Sequence, residues 1–214
     1  MNSFLKLKQE LVEIGDSYYY RLLAKQLKKS GSVLDVGCGR SSPLKKVKFK
    51  GRSEGIDLYR KSITDSKKQH IHSTYKIGDI RKLSRYYKPK SFDSVIALDV
   101  IEHLKKKEAL KLISDMENIA TKNVVILTPN GYYKQDELDG NPYQVHQSGW
   151  TKDDFKRLGY RIYGIRGWQK LRGEHAEIKW KPWFFWGFCS FVSEYLLYYS
   201  PHLSFDLFAV KEFS

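Results

Sequence analysis

The chain has 214 residues, of which 41% are hydrophobic and 29% charged, and its formal net charge at pH 7 is +14. This length and composition predict one folded domain with a buried core and exclude an intrinsically disordered chain. The two cysteines, Cys38 and Cys189, are too few for a disulfide framework or a four-cysteine zinc site. We therefore expect a cytoplasmic protein.

The first 130 residues alternate helical and strand-like patterns. Residues 5–29 predict a helix with Gly15 as a candidate break, and a second helix at 109–120 has its apolar residues on one face. Short apolar runs predict five strands, at 32–36, 53–58, 74–77, 92–98 and 124–127. Such a series indicates a doubly wound, mostly parallel α/β sheet whose ligand binds outside the carboxyl ends of the strands.

The pattern changes after Gly131. A Tyr-rich loop is predicted at 132–149, a short helix from Thr151 to Gly159, and two further strands at 160–165 and 205–210. Residues 182–199 predict an aromatic helix before the last strand. Its length and its Glu194 are unsuited to crossing a membrane. A lid over a hydrophobic substrate, a membrane-surface helix, and a subunit interface or core element remain as alternatives.

Three predicted strands end in an aspartate. Asp35 is followed by Gly37 and Gly39, which allow a ligand to approach the backbone closely, and its carboxylate suits a ligand that carries an amino group. Asp57 ends the second strand, where a carboxylate can accept both hydroxyls of a ribose. Asp79 follows the third strand, where it can accept from an exocyclic amine of a purine. A dehydrogenase is disfavoured, because Ser42 occupies the position of the third fingerprint glycine.

These motifs resemble those of the class I S-adenosylmethionine-dependent methyltransferases, in particular the small-molecule branch that includes ubiquinone-biosynthesis-type enzymes. The resemblance covers residues 30–130 and is carried by Val33 to Gly39, Glu54 to Leu58, Gly78 to Ile80 and Phe92 to Leu104. It implies a seven-stranded Rossmann-like sheet with two antiparallel last strands, and S-adenosylmethionine as cofactor.

The resemblance also implies roles for particular residues. Gly37 and Gly39 would flank the methionine moiety, Asp35 would hold its ammonium and Asp57 its ribose, while Asp79 and Ile80 would contact the adenine. Leu58 and Leu98 complete the implied cofactor-binding set. The implied reaction needs a base only when the acceptor atom carries a proton of high pKa.

Histidine can serve as such a base because it can be neutral at pH 7. We consider His103, after the fourth strand, and His146, in the loop after the fifth, as catalytic candidates. A structural hydrogen bond is the alternative for His103. No metal site is predicted, because His70 and His72 have no apparent third ligand.

The sequence therefore predicts methyl transfer to a small-molecule or lipid-like acceptor. An RNA or protein methyltransferase and a non-catalytic cofactor-binding scaffold are the alternatives. A nucleic-acid acceptor is disfavoured by where the positive charge lies. Residues 1–130, assigned to the cofactor, hold 27 basic and 14 acidic side chains, whereas residues 131–214, expected to face the substrate, hold 11 and 10 and are nearly neutral. We divide the single domain into an N-terminal helical region (1–30), a cofactor-binding core (31–130) and a substrate-facing half (131–214). Contact with a membrane surface or a second subunit is expected through 182–199.

Overall fold

The computed structural model describes residues 18–137, 140–173 and 177–213. The first part of the predicted N-terminal helix, including Gly15, lies outside these ranges, and helix α1 is described over 18–27. The other helices are α2 (Leu44–Val47), α3 (Arg60–Lys68), α4 (Lys106–Ile119), α5 (Lys152–Arg157) and α6 (Trp183–Leu197).

One sheet of seven strands forms the centre of the fold, in the order β3-β2-β1-β4-β5-β7-β6. Strands β1 to β5 are parallel, and β7 pairs antiparallel with both β5 and β6. The strands are β1 (Ser32–Val36), β2 (Arg52–Asp57), β3 (Thr74–Ile77), β4 (Phe92–Leu98), β5 (Ala120–Pro129), β6 (Arg161–Trp168) and β7 (Ser204–Glu212). The predicted fold class is confirmed, including the helix between the last two strands.

Both faces of the sheet are covered. In β1 the buried side chains alternate: Leu34 and Val36 pack with the apolar face of α4, whereas Val33 packs with Leu23 and Leu27 of α1. This alternation follows from the two-residue period of a strand and produces one core on each side of the sheet. The carboxyl ends of β1, β4 and β5 consequently meet at one edge, which is where the cavities lie.

Helix α6 packs against β6 through its small and polar residues. Ser190 and Glu194 are buried, whereas the aromatic residues Phe184, Phe188 and Tyr195 are more than half exposed. None of the helices in the described ranges is long and apolar enough to cross a membrane.

Candidate active site

A cavity of about 370 Å³ opens at the carboxyl ends of the strands. The loop that follows β1 forms one wall, and α3 and Leu98 at the end of β4 contribute others. Four of the predicted cofactor-binding residues line it: Asp35, Gly37, Gly39 and Leu98.

The two loop glycines have left-handed backbone conformations, with φ of 69° at Gly37 and 57° at Gly39. A Cβ atom at Gly37 would lie 2.7 Å from a methyl carbon of Val100. A Cβ at Gly39 would meet no other atom within 4 Å, so this position faces open space. Gly37 therefore allows the loop to pack on the protein, and Gly39 keeps it open toward the cavity.

Asp35 lies beneath this loop with its side chain buried. Its Oδ2 accepts a hydrogen bond of 2.5 Å from the Ser42 hydroxyl, and burial raises the pKa of the carboxyl to about 7. Nε2 of His72 is 3.3 Å from the same oxygen, but burial lowers the pKa of His72 to about 4. Because this imidazole is neutral at pH 7, His72 is not a cationic partner of Asp35. A buried carboxylate of this kind fits an entering ammonium group.

Asp57 connects the end of β2 to the glycine loop. Its carboxylate accepts backbone hydrogen bonds from Gly39, at 3.0 Å, and from Tyr59, at 2.7 Å, and burial raises its pKa. Tyr59 lines the cavity, whereas Asp57 itself lies just behind the wall.

The remaining predicted residues, Leu58, Asp79 and Ile80, are not part of the cavity wall as the structure describes it. Asp79 begins a 3-10 turn at Ile80–Arg85, and its carboxylate accepts hydrogen bonds from the backbone and guanidinium of Arg81. The guanidinium holds the pKa of Asp79 below its usual range. The adenine-binding role of this segment stays a prediction.

A second cavity, of about 260 Å³, adjoins the first. Asp99, Gln144 and Arg166 line both cavities, so the two cavities are neighbours at the carboxyl ends of the strands. The two predicted catalytic residues, His103 and His146, both line the second cavity.

The two imidazoles contact each other edge to face, with ring centroids 4.8 Å apart. Nδ1 of His146 is 2.7 Å from the backbone oxygen of Tyr133. Because a carbonyl only accepts, Nδ1 carries the proton, and the lone pair of His146 is on Nε2. Burial and the neighbouring His146 lower the pKa of His103 to about 4. Hydrogen bonding to the backbone at Val145 and Gln144 acts in the opposite direction on this pKa, which agrees with the structural alternative for His103, although Nδ1 has no partner of good geometry among the described residues.

Buried carboxylates surround the histidine pair. Glu102 accepts a hydrogen bond of 2.9 Å from the Thr128 hydroxyl, and burial raises the pKa of Glu102. Asp206 is fully buried and accepts a hydrogen bond of 2.7 Å from Arg166, yet burial raises the pKa of Asp206 to about 6.

Arg166 lies at an irregularity in β6. The register shifts between Ile165 and Trp168, and both Arg166 and Gly167 have positive φ. The carboxylate of Glu194 in α6 accepts a hydrogen bond of 3.0 Å from the Arg166 backbone N–H. Helix α6 therefore holds Arg166 at the junction of the cavities, although no residue of α6 lines either cavity in the part of the chain that is described.

Sequence reasoning missed Glu102, Asp206, Asp99 and Arg166 as residues of this site. Glu102 precedes a singled-out histidine, and Arg166 stands between Gly164 and Gly167, which is a signal for an irregular strand. Asp206 is in an otherwise apolar strand, where a buried charge indicates function or pairing.

The sheet order, the antiparallel seventh strand and the glycine loop beside an open cavity define the Rossmann-like methyltransferase fold. A family model described as "Methyltransferase domain" matches residues 27–171. The chain belongs to this family, and it is an enzyme of the class that uses S-adenosylmethionine as methyl donor. The comparison with curated proteins finds no match.

Solved structures show the same fold. A S-adenosylmethionine-dependent methyltransferase from Archaeoglobus fulgidus is 18% identical, with a TM-score of 0.62 over 99% of this chain and 100% of that one. The magnesium protoporphyrin IX methyltransferase of Synechocystis PCC 6803 is 17% identical, with a TM-score of 0.55 over 99% and 85%. The plantazolicin methyltransferase BamL is 15% identical, with a TM-score of 0.56 over 98% and 88%.

Proposed function

We propose that the protein methylates a small-molecule or lipid-like acceptor, with S-adenosylmethionine in the first cavity and the acceptor in the second. The observation that carries this proposal is the wall that the cavities share, formed by Asp99, Gln144 and Arg166. Methyl transfer requires the two reactants in contact and in line, which adjoining cavities permit.

S-adenosylmethionine, when bound, supplies an electrophilic methyl group on a positively charged sulfur. In this proposal the residues of this chain would bind and orient it: Asp35 would hold the amino group, and the loop at Gly37 and Gly39 would lie against the methionine part. Asp57 would accept the ribose hydroxyls, because a carboxylate has acceptor sites beyond its two backbone bonds. Leu58, Asp79, Ile80 and Leu98 would hold the adenine.

The size and lining of the second cavity support a small acceptor. Its volume of about 260 Å³ lies just below the range of roughly 300–1,000 Å³ that is usual for ligand pockets. Pro129, Tyr133 and Phe205 supply apolar walls, and the carboxylates and histidines supply polar ones. The porphyrin and plantazolicin methyltransferases named above also carry names of small-molecule acceptors.

His146 and His103 activate the acceptor in this proposal. Both rings border the second cavity, and the Nε2 lone pair of His146 is fixed by the bond from Nδ1 to Tyr133. A neutral imidazole oriented in this way can accept a proton from the acceptor at Nε2.

The exposed aromatic face of α6 supports a peripheral membrane contact, which would give a lipid-like acceptor a short path to the enzyme. Phe184, Phe188, Tyr195 and Leu196 are each exposed by more than 60%. Aromatic side chains prefer the boundary between lipid and water, and the net charge of +14 favours an anionic surface.

A methyl-transfer screen tests the function. The enzyme is incubated with S-adenosylmethionine carrying a labelled methyl group and with separate metabolite, lipid and RNA pools. We expect label to enter the metabolite or lipid pool together with formation of S-adenosylhomocysteine. Label confined to RNA, with binding that weakens steeply with salt, would contradict the proposal.

A further inference from the structure

We propose that Glu102, His103 and His146 form a binding site for one divalent transition-metal cation in the wall of the second cavity. One ligand atom from each of these three residues can be chosen so that all lie within 4.8 Å of one another. A set of two imidazoles and one carboxylate, with further positions open to a cavity, is a common ligand set of Zn²⁺, Mn²⁺ and Fe²⁺ sites.

The geometry is close to that of a loaded site. Bonds of about 2.1 Å from a metal to nitrogen and oxygen place tetrahedral ligands roughly 3.4 Å apart. The most distant pair of ligand atoms therefore needs to approach by up to about 1.4 Å, which rotations of the side chains can provide. Glu102 and His103 are adjacent in the 3-10 turn Ile101–His103 that follows β4, and the loop after β5 brings His146 to them.

The surrounding hydrogen bonds hold two of the ligands as metal sites usually do. His146 donates its Nδ1–H to the Tyr133 carbonyl, which leaves Nε2 as the ligand atom. The Thr128 hydroxyl donates to one oxygen of Glu102 and thereby orients its carboxylate. A bond from the non-ligating ring nitrogen to a carbonyl is the usual outer contact of a metal-bound histidine.

Two buried polar atoms beside this group have no hydrogen-bond partner among the described residues. They are Nδ1 of His103 and Oδ1 of Asp206, and Asp206 is fully buried and lines the same cavity. Leaving a buried polar atom without a partner costs stability, so such atoms indicate that something else binds there. A cation with its bound water would supply both missing partners.

The charge of the cavity wall also fits a divalent cation. When ionised, Asp99, Glu102 and Asp206 face one guanidinium, that of Arg166. Lys134, the other basic side chain among the described lining residues, lies 3.8 Å from the carboxylate of Asp136. Carboxyl groups therefore predominate in the described part of the wall, and a divalent cation would favour their ionised forms.

The cation would determine the class of acceptor. This part of the inference rests on the proposed function: a Lewis acid beside the transferring methyl group favours an oxygen acceptor that ligates it, since the metal lowers the pKa of a bound hydroxyl. His146 and His103 would then activate the acceptor through the metal. A nitrogen or carbon acceptor has less need of such a site.

Titration of the purified protein with Co²⁺, followed by visible absorption, tests the site. We expect one equivalent to bind, with the absorption bands of nitrogen- and oxygen-ligated cobalt. Glu102→Gln and His146→Gln should each weaken binding at least about tenfold. The matched control is His202→Gln, which removes an exposed histidine away from the cavities and should change nothing.

Absence of cobalt bands in the wild type at millimolar Co²⁺ would overturn the inference, as would equal binding by all variants. Calorimetry with S-adenosylhomocysteine verifies that each variant is folded, and if Glu102→Gln fails this check, His146→Gln decides. The two proposals fail separately: a protein that binds Co²⁺ at this site without binding the cofactor product refutes the proposed function alone.

Discussion

His103 and His146 contact each other edge to face in the wall of the second cavity, with ring centroids 4.8 Å apart, although α4 and β5 separate them in the chain. This contact gives the first prediction. His146→Ala should lower turnover by about 100-fold, because the group that activates the acceptor is removed. Cofactor affinity should stay unchanged, since His146 does not line the first cavity. Steady-state rates and calorimetry on the same preparation check both parts, and unchanged turnover would remove His146 from the site.

The pKa of Asp35 predicts how cofactor binding depends on pH. Because the carboxyl has a pKa of about 7 in the free protein and must be ionised to hold an ammonium, affinity should rise as pH increases through 7 and level off above it. Below pH 7 the affinity for the cofactor should fall by up to about tenfold for each pH unit, because Asp35 becomes protonated. Calorimetry across this range measures the effect. Asp35→Asn should bind weakly with little pH dependence, and a variant with the wild-type profile would contradict the role of Asp35.

Two glycine substitutions should separate folding from binding. At Gly37 an added Cβ meets Val100 at 2.7 Å, so Gly37→Ala should lower the free energy of unfolding by about 2 kcal/mol or more. At Gly39 the Cβ meets nothing within 4 Å, so Gly39→Ala should cost only about 1 kcal/mol of backbone strain. Its methyl group would instead obstruct the cofactor. Denaturant unfolding and cofactor titration of both variants test this, and equal effects on stability would refute it.

Partly buried Arg166 forms an ion pair with fully buried Asp206, and the destabilisation caused by removing Arg166 should depend on pH. Arg166→Ala leaves a fully buried carboxylate without its guanidinium, which should cost about 3 kcal/mol at neutral pH. The pKa of Asp206 is about 6 in the wild type and should be higher in the variant. The destabilisation is therefore fully present above the variant's pKa, where the carboxylate is ionised, and shrinks as the pH falls and the carboxyl is protonated in both proteins. Adding Asp206→Asn should restore much of the stability. Thermal unfolding at acidic and neutral pH provides the measurement, and a loss independent of pH would contradict this account.

The aromatic face of α6 should bind anionic vesicles. Phe188→Asp combined with Leu196→Asp places charge on two side chains that are 65% and 75% exposed, so folding should be retained. Co-sedimentation with vesicles rich in phosphatidylserine should then fall at least about tenfold. Lys156→Asp, an equal charge change on an exposed residue of α5 that lines neither cavity, is the control. Equal binding by the aromatic double variant would show that α6 is not the membrane contact.

Much of the fold could be predicted because β1 and β4 are short apolar runs between turn residues, and the predicted bounds of β1, β3 and β4 agree with the structure. Strand β5 begins earlier than predicted. Its first residue, Ala120, pairs with Phe92 of β4 before a shift in register, and the polar residues between Ala120 and Val124 interrupt the apolar pattern. The predicted division at residue 130 does not separate the cavities, because Asn141, Gln144 and Arg166 line the first one.

The candidate site was only partly predictable. Asp35, Gly37 and Gly39 are close together in sequence and share one loop, so their pattern was visible. His103 lies in the 3-10 turn after β4, His146 in the loop after β5 and Asp206 in β7, and no spacing in the chain indicates that they meet. Arg166 depends on a register shift in β6 that α6 stabilises through Glu194.

The central claim is that the first cavity binds S-adenosylmethionine in contact with an acceptor in the second. Calorimetric titration with S-adenosylmethionine tests it most directly. We expect one molecule per chain at micromolar concentration, and binding at least about tenfold weaker in Asp35→Asn. No heat of binding at millimolar S-adenosylmethionine, or tighter binding of NAD, would contradict the account.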